Sequence, residues 1–250
     1  MKILVIVPAR FASTRFPGKP LAMIGGKSMI QRVFEQVLKC TTVDEILVAT
    51  DDERIETAVK LFGGKVMMTS VTHLSGTSRC AEVVQNLDSD FEIIINVQGD
   101  EPFIDPEQID LLVKCFADPM VSIATLIKRI TKHEDLTNPN IVKAVIGEQY
   151  QALYFSRSAL PYFRGVEEHE WAASTNYYKH IGIYGYRTKV LQQLIQLPVN
   201  NLEEAESLEQ LRWLANGYRI QTAVTESETI SIDTPEDLEI ANAYLKEHSK

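Results

Sequence analysis

Four short apolar runs, KILVIVP at 2–8, EILVAT at 45–50, KVMMT at 65–69 and EIIINV at 92–97, alternate with segments of helical period. Continuous apolar runs of this length suit strands buried on both faces, as in sheets covered by helices on either side. The intervening segments supply those helices. Met29, Ile30, Val33, Phe34, Val37 and Leu38 recur at helical spacing behind a capping Ser28, and Ile55, Ala58, Val59 and Phe62 form a second apolar face. A third helix is expected over 78–87, and a fourth carries Ile109, Leu112, Val113 and Phe116. The pattern predicts an α/β chain whose first half is a doubly wound, Rossmann-like sheet, mixed overall but mainly parallel.

The second half changes character. VSIATLI at 121–127, VKAVIG at 142–147, ALYFSR at 152–157 and YYKHIGIYGYR at 177–187 read as strands with little helix between them, which predicts a smaller mixed or antiparallel lobe. One long helix is expected over 202–216, ended by Gly217, and YRIQTAVT at 218–225 returns to strand. In DTPEDLEIANAYLKE, Thr234 is placed to cap a helix that begins at Pro235 and turns Leu238 and Ile240 inward. A single domain with two lobes follows, one of about 1–120 with 218–250 and the other of about 121–217.

Charge narrows the partners. With 25 basic against 34 acidic residues the net charge is −9, which repels a phosphodiester backbone, so no nucleic-acid partner is expected. No apolar run approaches the roughly 18 residues of a membrane span, and the run after Met1 is too short for a secretory signal; the expectation is a cytoplasmic protein without a membrane partner. Cys40, Cys80 and Cys115 lack the spacing of a metal ribbon or a disulfide framework and read as reduced, mostly buried thiols.

Against that acidic background, PARFASTRFPGKP at 8–20 gathers Arg10, Arg15 and Lys19 just after the first strand. Ligands of α/β sheets collect beyond the carboxyl ends of strands. A small, highly charged anion suits such a knot, with Ala12, Ser13, Thr14 and Gly18 small enough for phosphate oxygens to approach main-chain N–H groups. A solvated loop that balances acidic neighbours is the other reading. GGKS at 25–28 is not a P-loop, because Leu21 stands where its first glycine belongs, and no G-x-G-x-x-G occurs. In NVQGDEP, Gln98 and Asp100 follow a buried strand, so Asp100 is either an ordinary turn residue or a ligand for a hard cation such as Mg²⁺. Asp233 is either a local helix cap or a second carboxylate for the same cleft. HLSGTSR at 73–79, with Ser75 and Arg79, either receives a flat base or simply joins strand to helix.

Taken in order, PARFASTRFPGKPL, VATDDERI, SGTSR, NVQGDEP, ALYFSRSALPY, KHIGIYGYR, ESLEQLR and IDTPEDL resemble the 3-deoxy-manno-octulosonate cytidylyltransferases, or CMP-Kdo synthetases, from about residue 3 to residue 240. The resemblance implies the nucleotide-diphospho-sugar transferase type of fold and transfer of CMP from CTP to Kdo, an acidic 3-deoxy sugar, with Mg²⁺ and release of pyrophosphate, for lipopolysaccharide synthesis. It implies that Arg10, Ser13, Arg15 and Lys19 bind the triphosphate, Ser75, Arg79 and Gln98 line the nucleotide pocket, and Asp100 and Asp233 hold the metal, with Arg10, Arg15, Lys19 and Asp100 catalytic. Its sugar site falls on Arg157, His180, Tyr184, Glu209 and Gln210, in a lobe that would also form a homodimer. Two features depart from the family pattern: Ser231 and Ile232 stand where many relatives carry Gly-Val, and RGVEEHEWAAST at 164–175 has no counterpart. A CMP-sialate synthetase, a nucleotide-sugar glycosyltransferase and a non-catalytic nucleotide-binding module are the alternatives, separated by pyrophosphate release from CTP and by the acidic sugar accepted.

Overall fold

Ile3, Leu4, Val5, Ile6 and Val7 are all buried and make up most of β1 (Ile3–Ala9). The structure, a computed structural model, describes residues 1–12, 16–88, 90–228 and 230–248, and it divides into two units, 1–110 with 229–250 and 111–228. In the first unit the chain continues through a small hairpin, β2 (Met23–Ile24) and β3 (Lys27–Ser28), into α1 (Met29–Val37). It then runs through β4 (Glu45–Thr50), α2 (Glu53–Leu61), β5 (Val66–Met68), α3 (Gly76–Asn86), β6 (Ile93–Asn96) and α4 (Pro106–Lys114), which leads into the second unit. The strands of this unit lie in the order β6-β1-β4-β5, all parallel, with Val5 opposite both Ile46 and Ile95.

Caps set the helix starts, at Ser28 as the sequence predicts and at Asp52 in addition. Ser28 Oγ accepts from the Gln31 N–H and the Asp52 carboxylate from that of Arg54, each satisfying an orphan donor of a first turn. At the chain's end the helix Pro235–His248 packs Leu238, Ala241 and Leu245 against Ile24, Met29 and Ile232. Ile240 does not face inward as expected and is 58% exposed. The inward stripe runs at steps of three and four through Leu238, Ala241 and Leu245, and Ile240 lies off it.

The second unit is built on β7 (Ile123–Ile130). The chain passes through α5 (His133–Thr137), β8 (Lys143–Ile146), β9 (Ala152–Ser156), α6 (Trp171–Ser174) and β10 (Tyr177–Arg187). After α7 (Thr188–Leu194), α8 (Asn201–Glu206) and α9 (Gln210–Ala215) it ends on β11 (Ile220–Val224). β11 runs parallel to β7, whereas β10 is antiparallel to β7 and to β8, and β8 to β9. Fold class is therefore α/β, with a doubly wound parallel set and a mixed, mostly antiparallel one. The unmatched segment 164–175 contributes to the packing of this unit, since Trp171 and Ala172 are buried with Ile130, Leu136 and Tyr177.

The single helix expected over 202–216 is two helices. Ser207 adopts φ +50, so α8 closes with the Ser207 and Leu208 N–H groups both on the Glu203 carbonyl. That left-handed step stops one helix and redirects the next, which buries Gln210, Leu211 and Trp213.

Candidate active site

Parallel strands end together, and the residues that follow β1 and β6 share a cleft of about 300 Å³ with the start of α3. Its walls include Arg10, Lys19, Ser75, Gln98, Asp100 and Asp233, all within the first unit. The backbone makes close contact there: a Cβ on Gly99 would sit 2.7 Å from the Pro8 carbonyl oxygen, so only glycine lets the two strand ends pass. Gly18, at φ +72, donates its N–H to the Phe11 carbonyl at 2.9 Å and so closes the basic loop, while Lys19 and Pro20 open a 3-10 turn (Lys19–Leu21). Ser13 and Arg15 lie outside the described residues.

Lys19 Nζ contacts Asp100 Oδ2 at 2.7 Å and Asp233 Oδ1 at 3.2 Å, so carboxylates from distant parts of the chain converge on one point. The backbone explains how. Ile232 donates its N–H to the Asp100 carbonyl at 3.0 Å, tying the segment before the last helix to the end of the strand segment. Helix capping, the other role open to Asp233, is performed by its neighbours: the Asp237 carboxylate accepts from the N–H groups of Asp233 and Thr234, and Thr234 Oγ1 from that of Asp237. Those donated bonds hold the Asp237 carboxyl below its ordinary pKa.

Three features in or beside this cleft escaped sequence reasoning. The Arg79 guanidinium, 3% exposed, is held by Asp51 Oδ2 at 2.7 Å and by Thr69 Oγ1, so its charge is already paired. His73 also lines the cleft and is paired with Glu82. Beside Asp100, burial and then the neighbouring carboxylate push the Glu101 carboxyl up to about 8. No pattern around Asp51, Glu82 or Glu101 distinguishes them from turn and helix acids.

The expected sugar ligands fall in the second unit. His180 and Tyr184 share one face of β10 with ring centroids 5.2 Å apart, although Gly182 and Ile183 form a bulge between the pairs Ile181–Leu126 and Tyr184–Thr125. Two inserted residues preserve the alternation, which is why the period-two reading survives. Burial lowers His180 to about 4. For Tyr184, burial and then Glu209 raise the phenol, against the Thr125 hydroxyl. Glu209 pairs with Arg212 at 3.0 Å, and buried Gln210 has no hydrogen-bond partner for its Nε2 among the described residues. Arg157 is held separately: Nε donates to the Glu206 carbonyl at 2.7 Å and Nη1 to that of Pro139 at 3.1 Å. The Glu206 carboxylate completes the grip by accepting from the Arg157 N–H and the Ser156 hydroxyl.

Comparison with known proteins meets this geometry. Residues 4–224 match the Cytidylyltransferase family profile. The chain is 54% identical to a 3-deoxy-manno-octulosonate cytidylyltransferase of Bacteroides thetaiotaomicron, covering 100% of both chains. It is 56% identical to one of Parabacteroides distasonis, over 98% of each. The chain belongs to the 3-deoxy-manno-octulosonate cytidylyltransferase family. A solved CMP:2-keto-3-deoxy-manno-octonic acid synthetase, complexed with CTP, superposes with a TM-score of 0.92 at 44% identity, covering 99% of each chain. As a member of this cytidylyltransferase family, the protein is a nucleotidyltransferase. Among the described residues, no helix is long and apolar enough to cross a membrane, and no group of three or more His, Cys, Asp or Glu side chains is arranged to hold a metal ion. Asp100 and Asp233 are the two carboxylates that converge in the cleft, both on the Lys19 ammonium group.

Proposed function

We propose that the protein transfers CMP from CTP to the anomeric hydroxyl of 3-deoxy-D-manno-octulosonate, releasing pyrophosphate, in the cytoplasm and in the service of lipopolysaccharide synthesis. The observation that carries this reading is the double contact of Lys19 with Asp100 and Asp233 in a cleft also lined by Arg10 and the amino end of α3. A cation already sits between the two carboxylates, so the pair fits a divalent ion, and Mg²⁺ commonly takes one or two carboxylates and completes its shell with water and phosphate oxygens. Asp100 and Asp233 would hold it. Bound there, Mg²⁺ would neutralise phosphate charge and make the sugar hydroxyl more acidic.

The chain's own groups do the rest. The anomeric oxygen forms a bond to the α-phosphorus as the bond to the pyrophosphate oxygen breaks, and no protein nucleophile is needed. Arg10 and Lys19, with Arg15, offset the triphosphate charge, while the N–H groups opening α3 present the positive end of a helix. Ser75 caps that helix, and Gln98 offers a polar edge to the nucleotide. In the second unit Arg157 offers a guanidinium to the sugar carboxylate, and His180, Tyr184, Glu209 and Gln210 take its hydroxyls. Within 150–186, a stretch rich in aromatic residues, Phe155, Trp171, Tyr177, Tyr184 and Tyr186 are buried, whereas Tyr150 and Tyr162 are exposed and would be available to a homodimer contact.

Pyrophosphate release measured with CTP, Mg²⁺ and Kdo, each omitted in turn, tests the proposal. Release should require all three. Equal turnover with a sialic acid would move the substrate assignment, and CTP binding without release would overturn the catalytic reading.

A further inference from the structure

The Thr125 side chain is buried, and its single hydroxyl proton is already committed. Thr125 Oγ1 lies 2.7 Å from the Ile183 carbonyl oxygen and 3.1 Å from that of Ile181. The bulge at Gly182 and Ile183 brings both carbonyls onto one hydroxyl. Carbonyl oxygens only accept, so the Thr125 O–H must donate to them. The same Oγ1 lies 2.9 Å from His180 Nε2 and has only lone pairs left to offer it. His180 Nε2 must therefore carry a hydrogen.

Burial lowers His180 to about 4, so the ring is neutral near pH 7 and holds only that one proton. Nδ1 is then a bare lone pair, and no described residue donates to it. We propose that Thr125 is a positioning residue that locks His180 in the Nε2–H tautomer, so that Nδ1 serves as a hydrogen-bond acceptor for a hydroxyl of the sugar. This deepens the reading of His180 as a sugar ligand and rests on it. It also specifies the contact, since an acceptor recognises a hydroxyl and not the carboxylate. Phe155 and Tyr184 hold the ring on its other sides, with centroids 5.1 and 5.2 Å away.

The test uses the full chain labelled with ¹⁵N-histidine, in which two-bond proton–nitrogen spectra at pH 7.5 report the tautomer of each ring and H180F identifies the His180 signals. Wild type should show Nε2–H at His180; T125V should lose the preference, and T125S should keep it. T125V should raise the KM for Kdo about tenfold with little change in kcat, with recovery in T125S, as expected when one neutral hydrogen bond is lost. CTP affinity and a melting curve report whether each variant is folded. An Nδ1–H or doubly protonated His180 in wild type overturns the inference whatever the kinetics. The expected tautomers together with a wild-type KM for Kdo in H180F would instead refute the assignment of His180 as a sugar ligand, and with it the hydroxyl contact.

Discussion

The two units meet their chemical demands with different materials. In the first, cleft residues come from strand ends and a helix start, the backbone passes too closely for a side chain at Gly99, and charge is handled by compensated ion pairs such as Lys19 with Asp100 and Asp233. In the second, Arg157 follows β9 and the other candidate ligands stand on the middle of β10 and at the start of α9, near the buried rings of Phe155, Tyr184 and Trp213, where burial keeps a histidine neutral. A site for a polyanion needs opposed charges that can be rearranged. A site for a polyhydroxylated sugar needs fixed donors and acceptors, which a low dielectric and a rigid strand supply. The comparison teaches that substitutions among the ion-paired groups of the first unit should act on turnover through charge, and those among the candidate ligands of the second through hydrogen-bond geometry.

The largest effect expected is from D100N, which keeps the shape and removes the charge. Turnover should fall at least about a thousandfold while the melting temperature changes little, as judged by pyrophosphate release and calorimetry. Near-normal release would break the claim that charge rules this unit. Next comes G99A, whose added methyl meets the Pro8 carbonyl oxygen at 2.7 Å. Strain of about 1–3 kcal/mol is expected in denaturant unfolding, together with weaker CTP binding in titration calorimetry.

The pH dependence of stability sharpens the other half of the comparison. His180 is lowered to about 4 from an ordinary value near 6.5, so the native state takes up its proton later than the unfolded chain does. Its contribution is complete above pH 6.5 and is lost as pH falls towards 4. Urea midpoints measured across that window should therefore decline less steeply in H180F than in wild type. Smallest, and of opposite sign, is S207G: Ser207 sits at φ +50, where glycine carries no Cβ penalty, and a gain of about 0.5–1 kcal/mol is expected in urea unfolding.

Legibility followed burial. β1, β4 and β6 were plain because both faces are covered, so that almost every residue is apolar. The helix pair α8 and α9 was not, because the residues on either side of the break, Glu203, Glu204, Ala205 and Glu206 and then Gln210, Leu211 and Arg212, are all good helix formers and nothing about Ser207 announces a left-handed turn. Ile240 misled for a related reason: hydrophobicity marked it, but the smaller Ala241 holds the inward position. For the candidate site, residue types after strands pointed to Lys19 and Asp100, and only the family resemblance added His180 and Glu209. Thr125, Asp51 and Glu206 were invisible, since each acts by holding another residue and its partner lies at least 28 positions away in the chain.

The crossing of Pro8 and Gly99 has a practical corollary for anyone redesigning the enzyme. A floor made of main chain offers nothing to trim and no room to build, so the cleft can be recut only from its walls. The candidate ligands of the second unit, Arg157, His180, Tyr184, Glu209 and Gln210, are by contrast side chains, and there a change of residue changes the surface itself.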